Sequence, residues 1–166
     1  MTTPAPAGGI SLRPLTAWAL LALAGVIILF SFLAWIFPSF PDPHLIDRFN
    51  PDSFTSIPVL VSPLLAMLIA TKIGPVLRDA RLIGLVALVE YVAAFVLGTL
   101  AFLITVAAHF DGLDTGIYAF GGVLEALGDI LVALILLALL ALAGLWTYHL
   151  FVRLGGRLPR INVRTD

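Results

Sequence analysis

The stretch LIGLVALVEYVAAFVLGTLAFLITVAA, Leu82 to Ala108, is 27 residues long and carries one charge, Glu90. As an α-helix it would rise ~40 Å, more than the ~30 Å of hydrocarbon in a bilayer. It therefore predicts a transmembrane helix with room to tilt.

Three further apolar runs surround it. The first, Leu15 to Phe37, lies between Arg13-Pro14 and Pro38 and holds no charge. Trp18 and Trp35 stand near its ends, about 25 Å apart along a helix, and so bracket a span at the two interfaces. It is too long for the apolar core of a signal peptide and no small-x-small site follows it, so a retained helix is expected. The second run, Ile57 to Ile73, is the shortest. Ser56 is placed to N-cap it and Pro58 falls in its first turn. Pro63, inside the helix, should kink it and free the carbonyl of Val59. The fourth run covers Ile130 to Val152. Residues 121–129 before it read as a helical extension or a short re-entrant turn.

Composition agrees with these runs. The 166 residues are 61% hydrophobic and 11% charged, with a mean hydropathy of +1.11. A soluble domain is nearer a quarter charged, because it must present polar groups to water. The fold class expected is all-α: an integral membrane four-helix, or tetraspan, bundle over residues 15–154 with spans 15–37, 57–73, 82–108 and 130–152. Residues 1–14 read as a disordered cytoplasmic N-terminus and 155–166 as a basic cytoplasmic tail. No repeat of 20–50 residues is visible, and the two helix pairs do not match each other in sequence.

Charge sets the orientation. Lys72, Arg78 and Arg81 lie between the second and third runs, and Arg153, Arg157, Arg160 and Arg164 follow the fourth. The loop after the first run has only Arg48, and the loop after the third has no basic residue. Short basic loops stay cytoplasmic, so both termini are expected inside and the chain in the cell membrane. Eight of the nine basic residues are arginine, and Ala and Leu dominate, a bias of GC-rich bacterial genomes. Arg78, Arg81, Arg153, Arg157 and Arg160 are candidates for anionic lipid headgroups. The opposite face is acidic, with Asp111, Asp114, Glu125 and Asp129; it is either a by-product of orientation or a vestibule that attracts cations.

Glu90 is the residue with most to say about chemistry. Nine positions after Arg81, it lies ~13 Å into its helix, near mid-bilayer. Unpaired carboxyls are expensive there, and such groups face the bundle or a cavity. Ala87, Glu90, Ala94, Gly98, Ala101, Thr105 and Ala108 recur at spacings of three and four, a small-residue stripe that lets another helix approach closely. By depth, Glu90 should meet Ser62, the carbonyl freed by Pro63, or the region of Gly144. It reads as an acid that pins two helices together, or as a site that handles protons or cations. Asp129 falls on a comparable line of the fourth helix with Ala126, Ala133, Ala141, Gly144 and Tyr148.

Other patterns carry less. With no cysteine there are no disulfides, thiolate nucleophiles or thiolate metal sites. His44 and His109 sit on different loops without metal-ligand spacing. His149, with Trp146 and Tyr148, reads as an interfacial belt. Asp114-Thr115-Gly116 and Ala126-Leu127-Gly128-Asp129 are fragments of protease motifs, but neither has the second aspartate that such chemistry needs. Asp111-Gly112-Leu113-Asp114 lacks the oxygen ligands of a calcium loop. Nucleotide-binding, serine-hydrolase and zinc-protease motifs are absent.

No catalytic residue, metal site, cofactor or nucleic-acid contact is expected. The expected partners are the lipid bilayer and either another membrane protein or further copies of the chain. The function expected is a non-catalytic scaffold, accessory or assembly subunit. The alternative is a small oligomeric transporter or channel that uses Glu90.

Overall fold

The computed structural model describes residues 12–37, 52–73, 75–114 and 120–155. The expectations for residues 1–11, the His44 loop and the tail beyond 155 lie outside the described residues. Within them the chain is helical: α1 (Leu12–Ile36), α2 (Asp52–Thr55), α3 (Ile57–Thr71), α4 (Ala80–Asp114) and α5 (Phe120–Arg153). α2 is a single turn; the other four are the helices of the fold.

Three of them, α1, the Ala80–Ala107 part of α4 and the Gly122–Arg153 part of α5, are long and apolar enough to cross a membrane. α3 is a 15-residue apolar helix, and at ~22 Å it is shorter than the hydrocarbon core. It stops at Thr71, two residues before the end expected for the second run. The Lys72 and Ile73 N–H groups fold back onto Leu68 O at 2.8 and 3.3 Å, because Pro75 cannot extend the ladder. Ser56 holds the N-cap position of α3, but its hydroxyl makes no capping bond and is enclosed without a partner. Pro58 has removed one of the N–H groups that such a cap would take. α5 runs unbroken from Phe120, so residues 121–129 are a continuation of that helix.

Successive long helices are antiparallel. The start of α1 meets the end of α3 through Arg13 and Ile69, and the end of α1 meets the turn before α3 through Trp35 and Phe54. α4 and α5 likewise join through Arg81 and Leu154 at one end and Gly98 and Leu137 towards the other. α1 packs most closely on α3 and α4 on α5; α3 and α4 meet across the middle, which leaves α1 and α5 at outer corners.

The packing is built on small side chains. Near the Arg13 end the core holds Ala17, Ala66, Ala70, Ala80 and Ala87 around Leu21, Met67 and Ile83. Further along it holds Ala94, Ala101 and Ala143 around Tyr91, Phe54, Val59 and Leu140. Apolar side chains are solvated by lipid as well as by one another, so close backbone approach and dispersion must hold such helices together. Glycines serve the same end: Gly84 receives Met67 and Phe151, and Gly98 receives Leu137 and Thr55. α2 is tucked into the bundle. Phe54 is fully buried, with its ring edge-on to Trp35 at a centroid distance of 4.9 Å. Trp35 is thus half-buried against protein, and Trp18 packs on the core at the other end. The outward faces of α1, α4 and α5 are Leu, Val, Ile and Phe, a surface suited to hydrocarbon.

Candidate functional site

The buried line of α4 runs through Ala80, Ile83, Ala87, Tyr91, Ala94, Gly98 and Ala101. It contains the Ala87, Ala94, Gly98 and Ala101 of the small-residue stripe. Thr105, half-buried, donates back to Ala101 O within the same helix, and the side chain of Ala108 lies outside the described ones. Glu90 stands on the flank of this line and is half-buried.

Its neighbour is α1. A Cβ built on Gly25 would lie 3.2 Å from Glu90 Oε1, so the carboxyl rests against the bare backbone of that helix. Glu90 Oε2 is enclosed and has no hydrogen-bond partner. Depth alone pointed to Ser62, an α3 carbonyl and Gly144 as partners, and Tyr91 occupies much of that ground instead. The Tyr91 hydroxyl donates to Leu60 O on α3 at 2.7 Å, and Gly144 of α5 faces the Tyr91 side chain, with a Cβ there 3.5 Å from Tyr91 Cβ. Consecutive residues of a helix point ~100° apart, so Tyr91 looks to α3 and α5 while Glu90 turns to α1. Ser62 is buried on α3. Glu90 against Gly25 and Tyr91 between Leu60 O and Gly144 thus bring two adjacent polar side chains of α4 into contact with the other three helices.

Sequence reasoning passed over Gly25 and Tyr91. The signals were present: Gly25 is the one glycine in the run Leu15 to Phe37, and a tyrosine beside an intramembrane acid brings a second polar group that must find a partner.

Two arginines act at the far end of the helices. Arg13, at the start of α1, donates Nη2 to Ile69 O at 2.9 Å and Pro75 O at 3.4 Å, over the C-terminus of α3. Arg81, at the start of α4, donates Nε to Leu154 O at 2.6 Å, just past the C-terminus of α5. Each supplies a cation and donors where a helix leaves carbonyls unpaired. Arg13 was not among the arginines singled out from the sequence, and Arg81, read as a headgroup ligand, is engaged with protein. Arg78 and Arg153 are exposed at the same end.

The acidic residues do not gather. Glu125 and Asp129 are both exposed on α5. The packing face of that helix is Ala126, Ala133, Leu137, Leu140, Ala143, Thr147 and Phe151, so Asp129 stands off it. Asp111 and Asp114 fall in the last turns of α4, where, as for Arg157, Arg160 and His109, the side chains lie outside the described ones. No three His, Asp or Glu side chains converge among the described residues.

Two grooves flank α5. One, of about 380 Å³, lies against α4 between Val92, Phe95, Leu140 and Leu145. The other, of about 440 Å³, lies against α3 between Leu64, Leu68, Leu139 and Leu142. Both are walled almost wholly by hydrocarbon, and Glu90 borders neither. Comparison with known proteins adds no family: no family model, curated protein or solved structure matches the chain.

Proposed function

We propose that this chain is a non-catalytic integral membrane protein, a tetraspan bundle that serves as a scaffold, accessory or assembly subunit for other membrane proteins. Both termini are cytoplasmic in this reading and the membrane is the bacterial cell membrane. Support for the orientation comes from Arg13, Lys72, Arg78, Arg81 and Arg153, which all fall at one end of the antiparallel helices. α3 joins the other three as a short embedded helix, with α2 closing the bundle above it.

The observation that carries the reading is how the polar groups of the helices are used. Tyr91 is consumed in binding α3, and Arg13 and Arg81 hold helix ends. The buried oxygens left without partners, on Ser56, Glu90, Thr99 and Thr147, belong to no common cluster of titratable groups among the described residues. Among the described residues no nucleophile, base and charge stabiliser share a site. The molecule offers partners long apolar helix faces. The two grooves beside α5 are apolar and do not include Glu90, so they lend no support to transport through that residue.

Extraction of the full chain from its native membrane in mild detergent, with mass determination of the purified particle, tests the proposal. A stoichiometric assembly with a different membrane protein is expected. A particle made of this chain alone would defeat the proposal. Ion flux in reconstituted vesicles that disappears in Glu90→Gln would favour the transporter.

A further inference from the structure

We infer that the α1–α4 seam at Gly25 and Glu90 is the docking point for a transmembrane helix of another protein, one that carries a lysine or arginine at mid-bilayer. The inference rests on the accessory role proposed above and names the chemistry of its partner.

Glu90 has hydrogen-bonding capacity that no described residue satisfies. Its Oε2 is enclosed with no donor in reach. The hydroxyl of Tyr91, the next residue in the helix, is committed to Leu60 O. The cations Arg13, Lys72, Arg78, Arg81 and Arg153 all stand at one end of the helices. The closest of these in α4, Arg81, is ~13 Å away along the helix axis and is bonded to Leu154 O. In hydrocarbon such a vacancy is expensive, so a donor from outside gains what water would otherwise supply.

The seam is only half covered at this level. Glu90 is half-buried, as are Gly25 beside it and Ala93 one turn on. Because Gly25 has no side chain, the carboxyl lies in a notch, and rotation about its last bond exchanges the two oxygens. Charge complementarity identifies the visitor. A lysine or arginine in mid-bilayer has the same need for a counter-charge, and pairing meets both. A second copy of this chain would bring another carboxyl and, among the described residues, no cation to that depth.

The test uses the full chain in phosphatidylcholine vesicles with a labelled Leu/Ala transmembrane peptide bearing one central lysine. The same peptide with leucine there is the control, and energy transfer reports association. The lysine peptide should bind about ten-fold more tightly than the control, a preference that Glu90→Gln and Glu90→Ala both remove. Helicity of each variant is followed by circular dichroism, and the near-isosteric Gln keeps the test valid if Ala disturbs folding. Equal binding of the two peptides overturns the inference. So does a preference that survives in Glu90→Gln, or Glu90-dependent association of the chain with itself. None of these results bears on whether the native particle contains a partner, so the accessory role stands or falls separately.

Discussion

Gly25 and Glu90 are coupled through a single close approach. At 3.2 Å between Oε1 and the site of a Gly25 Cβ, even a methyl group would be tight and the carboxyl would have to give by a few tenths of an ångström. Gly25→Leu should therefore destabilise the bundle by about 1–3 kcal/mol in a detergent or nanodisc unfolding assay, as overpacking does elsewhere. In a Glu90→Ala background the same substitution should lose much of its effect, with a coupling energy above about 0.5 kcal/mol. Additive effects would mean that the two residues do not share the seam. Gly155 is constrained differently. Its φ of +75° follows α5, and a Cβ there would come within 2.9 Å of Arg81 Nη2. Position 155 thus depends both on glycine's conformational freedom and on the arginine that closes the helix.

At the scale of elements, the two helix pairs share a device. In each, an arginine at the start of one helix reaches the C-terminal carbonyls of its antiparallel partner, Arg13 for α3 and Arg81 for α5. The pairs have unlike sequences, yet antiparallel packing brings a helix start beside a helix end in both, and the chain uses a cation at each. Arg13→Ala and Arg81→Ala should each cost about 1 kcal/mol and should add, since they act on different helices. Hydrogen exchange should locate the effects, with faster exchange near 69–73 for the first and near 152–155 for the second. Loss of protection in both regions from one substitution would contradict independent caps.

At the scale of the whole molecule, orientation is the property open to direct test. The chain has no cysteine, so single substitutions can be labelled without background. Glu125→Cys, on the exposed start of α5, should react with an impermeant maleimide in intact cells. Lys72→Cys, in the turn after α3, should react only after the membrane is opened. Reaction of both from the outside would remove the topology with both termini in the cytoplasm. The shortness of α3 belongs to this scale too. A 15-residue helix does not match ~30 Å of hydrocarbon; its inner face packs on α1 and α4, and Arg13 takes a carbonyl at its C-terminal end.

Composition and runs of apolar residues pointed to a helical chain with four spans; three of its helices are long and apolar enough to cross a bilayer, and the structure ends the fourth, α3, at 15 residues. A backbone in hydrocarbon must satisfy its own hydrogen bonds, and helices do so locally, so no knowledge of neighbours was needed. The small-residue line of α4 was legible for the same reason, since a helical period alone reveals which positions share a face. Tertiary structure decided the partners. Glu90 meets Gly25 and Tyr91 takes the α3 carbonyl because two residues one step apart on a helix face different neighbours. Which neighbour stands where depends on how four helices are arranged around one another. Arg13 and Arg81 were readable as basic flanks, but their work as caps arises only when an antiparallel partner brings its carbonyls within reach.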